Sequence, residues 1–365
     1  MKVCTTTNLN HGGNVFAVAR SLGVPPEAIL DFSASINPLG PVAGVREAMS
    51  AAFSRLVHYP DSDCTELREA LAIRHEVKPA NICVANGSTE LIYLLPRLAS
   101  GKRALIVAPS FSEYARALKQ DNWSVEHFIL SSADGFAFPL ALLEKDLRKG
   151  YDLLILANPG NPTGRLYFPP EIEEINRLCT SSGCLLVIDE AFMEFSGEET
   201  ADHLAWENDN ILVLRSLTKF YALPGLRLGY AIGSQPIISR LAAIREPWSV
   251  NTLAQVAGVA SLADTDYAVA TREMIRSERD YLHAKLADIP GLSPFSSSAN
   301  YLLVETDRSI SVEELAAKLM KDLILIRSCA NFPGLDDYFF RVAVRNRDEN
   351  KRLIAAIAAA VSDWG

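Results

Sequence analysis

Basic excess, long apolar runs, paired cysteines and internal repeats are all missing from this chain, and each absence closes a class of function. Lysine and arginine number 35 against 44 aspartates and glutamates, a formal net charge of −9. No general cationic surface is therefore available for a nucleic-acid backbone or an anionic bilayer, and neither is expected as a partner. An anionic substrate must instead meet a local cationic pocket. No apolar run approaches the roughly 18 residues of a membrane span. The opening Met1-Lys2-Val3-Cys4-Thr5-Thr6-Thr7-Asn8 lacks the apolar core of a secretory signal, so a soluble cytoplasmic protein is expected. The six cysteines (Cys4, Cys64, Cys83, Cys179, Cys184, Cys329) form no CxxC pair and no metal-ligand spacing. They are sparse for a disulfide scaffold, and reduced thiols with no bound metal are the expectation.

What is present is an ordinary globular composition, 49% hydrophobic and 22% charged over 365 residues, enough for a large core and two domains. Seven short apolar runs alternate with helical patterns: 82–85, 104–108, 125–129, 153–157, 185–188, 211–214 and 228–232. Strands alternating with helices predict βαβ units and a largely parallel sheet. Upstream, apolar residues recur at three and four from Val42 to Arg55 and from Cys64 to His75, as in amphipathic helices. A long helical pattern runs from about 252 to 289 and breaks at Pro290-Gly291. Strands are then expected near 301–304, 324–326 and 340–344, giving a smaller α+β unit. The expected division is an arm over 1–40, a large domain over 41–255 and a small domain over 256–365.

Polar clusters stand at the ends of several expected strands. Ligands of open α/β sheets bind beyond the carboxyl ends of the strands, so Ser216, Thr218, Lys219 and Arg227, just past the 211–214 run, can meet a phosphorylated ligand. An amine placed there can condense with an aldehyde; a solvated loop lysine is the plain alternative. Asn86-Gly87-Ser88-Thr89-Glu90 turns a strand into a helix whose free N–H groups face an anion, although a simple N-cap at Ser88 explains it equally well. Asn158-Pro159-Gly160-Asn161-Pro162-Thr163-Gly164 carries two Asn-Pro pairs, more than a reversal needs. Asp189, ending the apolar Leu185-Leu186-Val187-Ile188, is costly there without a partner. Phe111, taken alone, reads as core. In Phe339-Phe340-Arg341-Val342-Ala343-Val344-Arg345 a period of two puts Arg341 and Arg345 on one face, which can be a solvent face.

Taken together, these clusters resemble fold-type I pyridoxal-phosphate enzymes of the class I/II aminotransferase kind. The resemblance implies an α/β fold with a mostly parallel seven-stranded sheet between helices, plus a small α+β domain. It implies pyridoxal 5'-phosphate as cofactor, held as a Schiff base by Lys219, with Asp189 keeping the ring nitrogen protonated. Gly87, Ser88, Thr89, Ser216 and Arg227 would bind the cofactor phosphate, Phe111 would stack on the ring above Ala191, and Asn161 would bond its hydroxyl. Tyr59, in a Tyr-Pro turn that is otherwise only a turn, would reach the cofactor of a second subunit and make the protein a homodimer with shared active sites. Phe192 stands where many members have tyrosine.

The arm and the small domain bear on substrate. His11-Gly12-Gly13-Asn14, Phe32-Ser33-Ala34-Ser35-Ile36-Asn37-Pro38-Leu39-Gly40, Pro247-Trp248-Ser249-Val250-Asn251 and Arg327-Ser328-Cys329-Ala330-Asn331-Phe332-Pro333-Gly334-Leu335-Asp336 are similar to those of members that decarboxylate a phosphorylated amino acid. The resemblance implies conversion of L-threonine O-3-phosphate to (R)-1-amino-2-propanol O-phosphate in cobalamin biosynthesis, with transamination of histidinol phosphate as the alternative. His11, Gly12, Ser35 and Arg327 would grip the substrate phosphate, and Arg341 with Asn161 its carboxylate. Ser35 replaces an asparagine that members can carry at that contact.

Overall fold

A computed structural model describes residues 12–198 and 200–362. The first of its thirteen strands, β1 (Leu30–Asp31), belongs to the arm. The seven strands that follow are β2 (Ile82–Ala85), β3 (Arg103–Ala108), β4 (Ser124–Ile129), β5 (Leu153–Ala157), β6 (Leu185–Asp189), β7 (Ile211–Ser216) and β8 (Gly229–Ile232). They form one sheet in the order β2-β8-β7-β6-β5-β3-β4. β8 pairs antiparallel with both neighbours and every other pairing is parallel. Because helices cover both faces, the inner strands read as continuous apolar runs rather than alternating ones. In β7, Ile211, Leu212, Val213 and Leu214 are all fully buried; at about 1.5–3 kcal/mol per side chain, their burial fixes the strand that ends three residues before Lys219.

The remaining strands are β9 (Leu292–Pro294), β10 (Tyr301–Thr306), β11 (Ile324–Leu325), β12 (Arg327–Ser328) and β13 (Phe339–Ala343). An antiparallel sheet runs β12-β13-β10-β9, and β1 of the arm pairs in parallel with β11 in a separate two-stranded sheet beside it. The arm continues onto the sheet as Phe32 N donates to Leu325 O and Ala343 N to Phe32 O, each at 2.8 Å. The alternative of an arginine-bearing solvent face is not found: Arg341 is buried, and β13 ends before Arg345, which turns to Glu349.

The long helical pattern divides into Thr265–Ala287 and, before it, Thr252–Leu262. The break follows from Asp264, whose carboxylate caps the second helix by accepting from Tyr267 N at 2.9 Å. The first amphipathic pattern is helical over Ala43–Ala52 and tightens to a 3₁₀ turn over Phe53–Val57. No helix of the described residues is long and apolar enough to cross a membrane.

Candidate active site

Register brings the predicted phosphate cup together. Gly229 stands opposite Ala85 on one side and Ser216 on the other, so the turn after β2, the end of β7 and the loop before β8 meet at one sheet edge. The close approach requires glycine: a Cβ at Gly229 would lie 2.4 Å from Ser88 N and 2.8 Å from Gly87 C. Gly87, at φ 80°, turns the chain into the helix Ser88–Leu98, whose unpaired N–H groups favour an anion. A Cβ on Gly87 would meet the Arg227 guanidinium at 2.7 Å, which places that cation directly over the helix start. Ser216 Oγ and Thr218 Oγ1 lie 2.7 Å apart, and Ser216 caps the turn Leu217–Phe220 that carries Lys219.

These groups open onto a cavity of about 260 Å³. Gly12, Ser35, Ser88, Thr89, Phe111, Asn161, Asp189, Ala191, Ser216, Lys219, Arg227, Arg327 and Arg341 all line it. Of the remaining sequence candidates, Gly87 does not line it but lies against Arg227, which does. Tyr59, expected at the cofactor of a second subunit, does not line this chain's own cavity: the ring is 79% exposed and stacks on Trp248 at 4.7 Å. His11 lies outside the described residues. The arm seats Lys219 from the other side, because Asn37 N donates to Lys219 O at 3.1 Å and Asn37 Nδ2 to Phe220 O at 2.8 Å.

Asp189 is held from two sides. Tyr114 donates its phenol to Oδ2 at 2.6 Å and Ala191 N donates to Oδ1 at 2.9 Å. Burial raises the Asp189 pKa despite those bonds and the Lys219 charge. Burial lowers Lys219 to about 8, and Arg227 and Arg341 push in the same direction; no hydrogen bond or ion pair engages its amine among the described residues. An amine that gives up its proton more readily than an ordinary lysine and a buried carboxylate thus share one cavity. That chemistry fits an aldehyde cofactor bearing a basic ring nitrogen. Ser88, Thr89, Ser216 and Arg227 would hold its phosphate, Phe111 and Ala191 its ring, and Asp189 its nitrogen.

The other side of the cavity is cationic. Arg327 and Arg341 are directly opposed on β12 and β13. Like charges so placed repel unless an anion lies between them. Arg341 bonds Asn161 Oδ1 and, through Nη2, Ser33 O at 3.0 Å. Arg341 Nε and Ser35 Oγ are buried without a partner among the described residues, and such atoms are costly unless a ligand meets them. Burial lowers the pKa of both arginines.

Sequence reasoning assigned no role to Tyr114, Ser33, Asn331 or Phe332, which line the cavity together with Thr218. A buried ionic cluster behind the strand ends was equally unsignalled. Arg215 pairs with Glu190 and Glu194, each at 2.6 Å, and His75 Nδ1 lies 2.5 Å from Asp202. Glu190 and Arg215 directly adjoin Asp189 and Ser216, so the pair ties together the ends of β6 and β7.

Comparison with known proteins agrees with this geometry. The model of the family "Aminotransferase class I and II" matches residues 27–357. Threonine-phosphate decarboxylase of Salmonella typhimurium is 42% identical over 96% of this chain and 96% of its own length. A bifunctional protein of adenosylcobalamin biosynthesis from Leptospira interrogans is 32% identical over 95% of this chain, which spans 40% of that protein. Among solved structures, histidinol-phosphate aminotransferase from Clostridium acetobutylicum superposes with a TM-score of 0.86 at 30% identity, covering 92% of this chain and 100% of that one.

Proposed function

The chain belongs to the aminotransferase class I and II family, and from that premise we propose that it is a pyridoxal-phosphate-dependent decarboxylase of L-threonine O-3-phosphate. The product is (R)-1-amino-2-propanol O-phosphate, made for cobalamin biosynthesis. The observation that carries this reading is the opposed pair Arg327 and Arg341, two guanidiniums facing one cavity, as a substrate bearing both phosphate and carboxylate requires. Identity to the Salmonella decarboxylase over nearly the whole of both chains supports it.

When bound, the cofactor supplies an aldehyde for covalent attachment and a ring that accepts electrons. The chain's own residues do the rest. Asp189 holds the proton on the ring nitrogen. Arg341 and Asn161, bonded to one another, would hold the substrate carboxylate and so orient the bond to be broken. Arg327, Ser35, Gly12 and His11 hold the phosphate at the far end and fix the pose. Lys219 Nζ, near its pKa of about 8, can both give and hold a proton close to neutrality and returns one to the carbon that lost carbon dioxide. Phe192, packed edge-on against Tyr301 at 5.0 Å, adds no donor there.

A homodimer is part of the reading. Phe53, Val57, Tyr59 and Trp248 are 66%, 81%, 79% and 49% exposed, an apolar surface of the kind that marks a protein contact; sedimentation of Val57→Glu should give a monomer. A cytoplasmic location suits the free, buried thiols of Cys64, Cys83, Cys179, Cys184 and Cys329.

Transamination of histidinol phosphate is the second reading, favoured by the shared fold with the Clostridium enzyme. Histidinol phosphate carries no carboxylate for Arg341. Product analysis with both substrates side by side separates the two. Carbon dioxide and an aminopropanol phosphate from threonine phosphate are expected; a keto product with the cofactor left as its amine form overturns the proposal.

A further inference from the structure

Tyr114 lies in the helix Glu113–Gln120, fully buried. Its hydroxyl donates to Asp189 Oδ2 at 2.6 Å, while its ring meets Phe111 edge-on at a centroid distance of 5.8 Å. One side chain therefore touches both the acid at one edge of the cavity and the aromatic at its wall. We propose that Tyr114 is a positioning residue that keeps Asp189 ionised and aimed at the cofactor's ring nitrogen; the proposal rests on the cofactor assignment made above.

The physical case is one of competing demands on a buried carboxylate. Desolvation favours the neutral acid, which has no charge to offer a ring cation. Each donor to the carboxylate opposes that, and the described residues provide two, Ala191 N on Oδ1 and Tyr114 on Oδ2. Burial next to Asp189 raises the phenol well above its ordinary pKa, so it remains a donor over the whole working range. With one bond on each oxygen the carboxylate cannot rotate, and each oxygen keeps lone-pair capacity directed at the cavity. A ring nitrogen then meets an acceptor already ionised and oriented.

The test compares pyridoxal phosphate with its carbocyclic 1-deaza analogue, which has no ring nitrogen, on wild type, Tyr114→Phe and Tyr93→Phe. Tyr93 is the control because its phenol donates to a different acid, Glu113, at 2.6 Å. Tyr114→Phe should weaken binding of the natural cofactor about tenfold, the size expected for one hydrogen bond to a charged group. It should leave the analogue within about twofold, since no ring proton is then at stake. Tyr93→Phe should change neither. A loss of packing would weaken both ligands equally, and that result, or unchanged binding of both, overturns the proposal. If wild-type protein binds no pyridoxal phosphate and borohydride traps nothing on Lys219, the cofactor assignment itself fails, a distinguishable outcome.

Discussion

Gly229→Ala should damage the cofactor site while adding a single methyl group. The new Cβ would lie 2.4 Å from Ser88 N, 2.8 Å from Gly87 C and 2.9 Å from Arg215 O. All three are backbone atoms, so no rotamer change relieves the clash, and ordinary contact requires a shift of about 1 Å. β8 cannot supply that shift, because Gly229 is paired with Ser216 on one side and Ala85 on the other. The displacement must enter the Gly87-Ser88 turn, whose N–H groups would face the cofactor phosphate. Overpacking of this kind costs about 1–3 kcal/mol of stability. Losing alignment of one N–H with a phosphate costs about 1.5–3 kcal/mol of binding, or roughly 10- to 150-fold in affinity. Absorbance titration of the empty protein with pyridoxal phosphate measures the second quantity and its melting temperature the first. Gly44→Ala is the control: nothing lies within 4 Å of its added Cβ, and alanine within the helix Ala43–Ala52 should stabilise by about 0.5–1 kcal/mol. A folded Gly229→Ala protein that binds the cofactor as tightly as wild type refutes the reasoning.

Lys219, lowered to about 8 from an ordinary 10.5, should react with aldehydes in the empty protein with a half-maximal rate near pH 8. Across pH 8 to 10.5 the unfolded chain holds a proton that the native amine has lost, so the empty protein should gain stability through that window, and Lys219→Met should remove the gain. Asp189→Asn should lower turnover by about 10²- to 10³-fold, as loss of a preorganised charge does. Because burial raises the Asp189 pKa, ionised Asp189 costs the empty protein stability once pH exceeds its unfolded value of about 3.9. Denaturation of the two empty proteins from pH 4 to 7 should therefore shift in favour of the asparagine variant. Arg327→Gln should lower kcat/KM for threonine phosphate by about 30-fold or more and leave the slow turnover of unphosphorylated threonine unchanged; equal losses on both would remove Arg327 from the phosphate site.

The sheet was legible because its inner strands are buried on both faces, which leaves runs such as Ile211 to Leu214 unmistakable. The reversal of β8 was not, since an antiparallel strand buried within the sheet carries the same apolar run as a parallel one. The strand-end clusters at Gly87 and Lys219 have plain readings as a helix cap and a loop lysine and were singled out by the resemblance; that at Asn161 was legible because two Asn-Pro pairs exceed what a turn requires, and Asp189 because a carboxylate ending an apolar strand needs a partner. Tyr114 escaped for the opposite reason. It occupies an ordinary buried position of an amphipathic helix, and its acceptor lies 75 residues further along the chain. The same holds for Arg215, whose partners Glu190, Glu194 and Asp202 converge only when β6 and β7 pair. For Arg345 the period of two was correct in spacing and wrong in extent, because β13 ends at Ala343. Arg345 instead donates to Asp31 O at 3.1 Å and pairs with Glu349, which secures the arm.

Charge distribution connects the site to its chemistry. Lys219, Arg227, Arg327 and Arg341 face the cavity against a single carboxylate, Asp189, in a chain of net charge −9. On the proposed assignment the three guanidiniums would meet three anionic groups: the cofactor phosphate, the substrate phosphate and the substrate carboxylate. The third group must leave as a neutral molecule, so holding it as tightly as the other two would oppose the reaction. Both arginines of the small sheet are already engaged by the protein: Arg327 Nη1 donates to Ser328 O at 2.6 Å and its Nη2 to Asn331 Oδ1 at 2.7 Å, and Arg341 is held likewise. Its Nη1 is engaged by Asn161 and its Nη2 by Ser33 O, which leaves Nε as its wholly unengaged nitrogen. A carboxylate there finds a fork already partly spent on the protein, enough to orient it without the full strength of a free bidentate pair. On the proposed assignment, the phosphate would remain with Arg327 once carbon dioxide departs, and Arg341 would keep the bonds it already makes with Asn161 and Ser33.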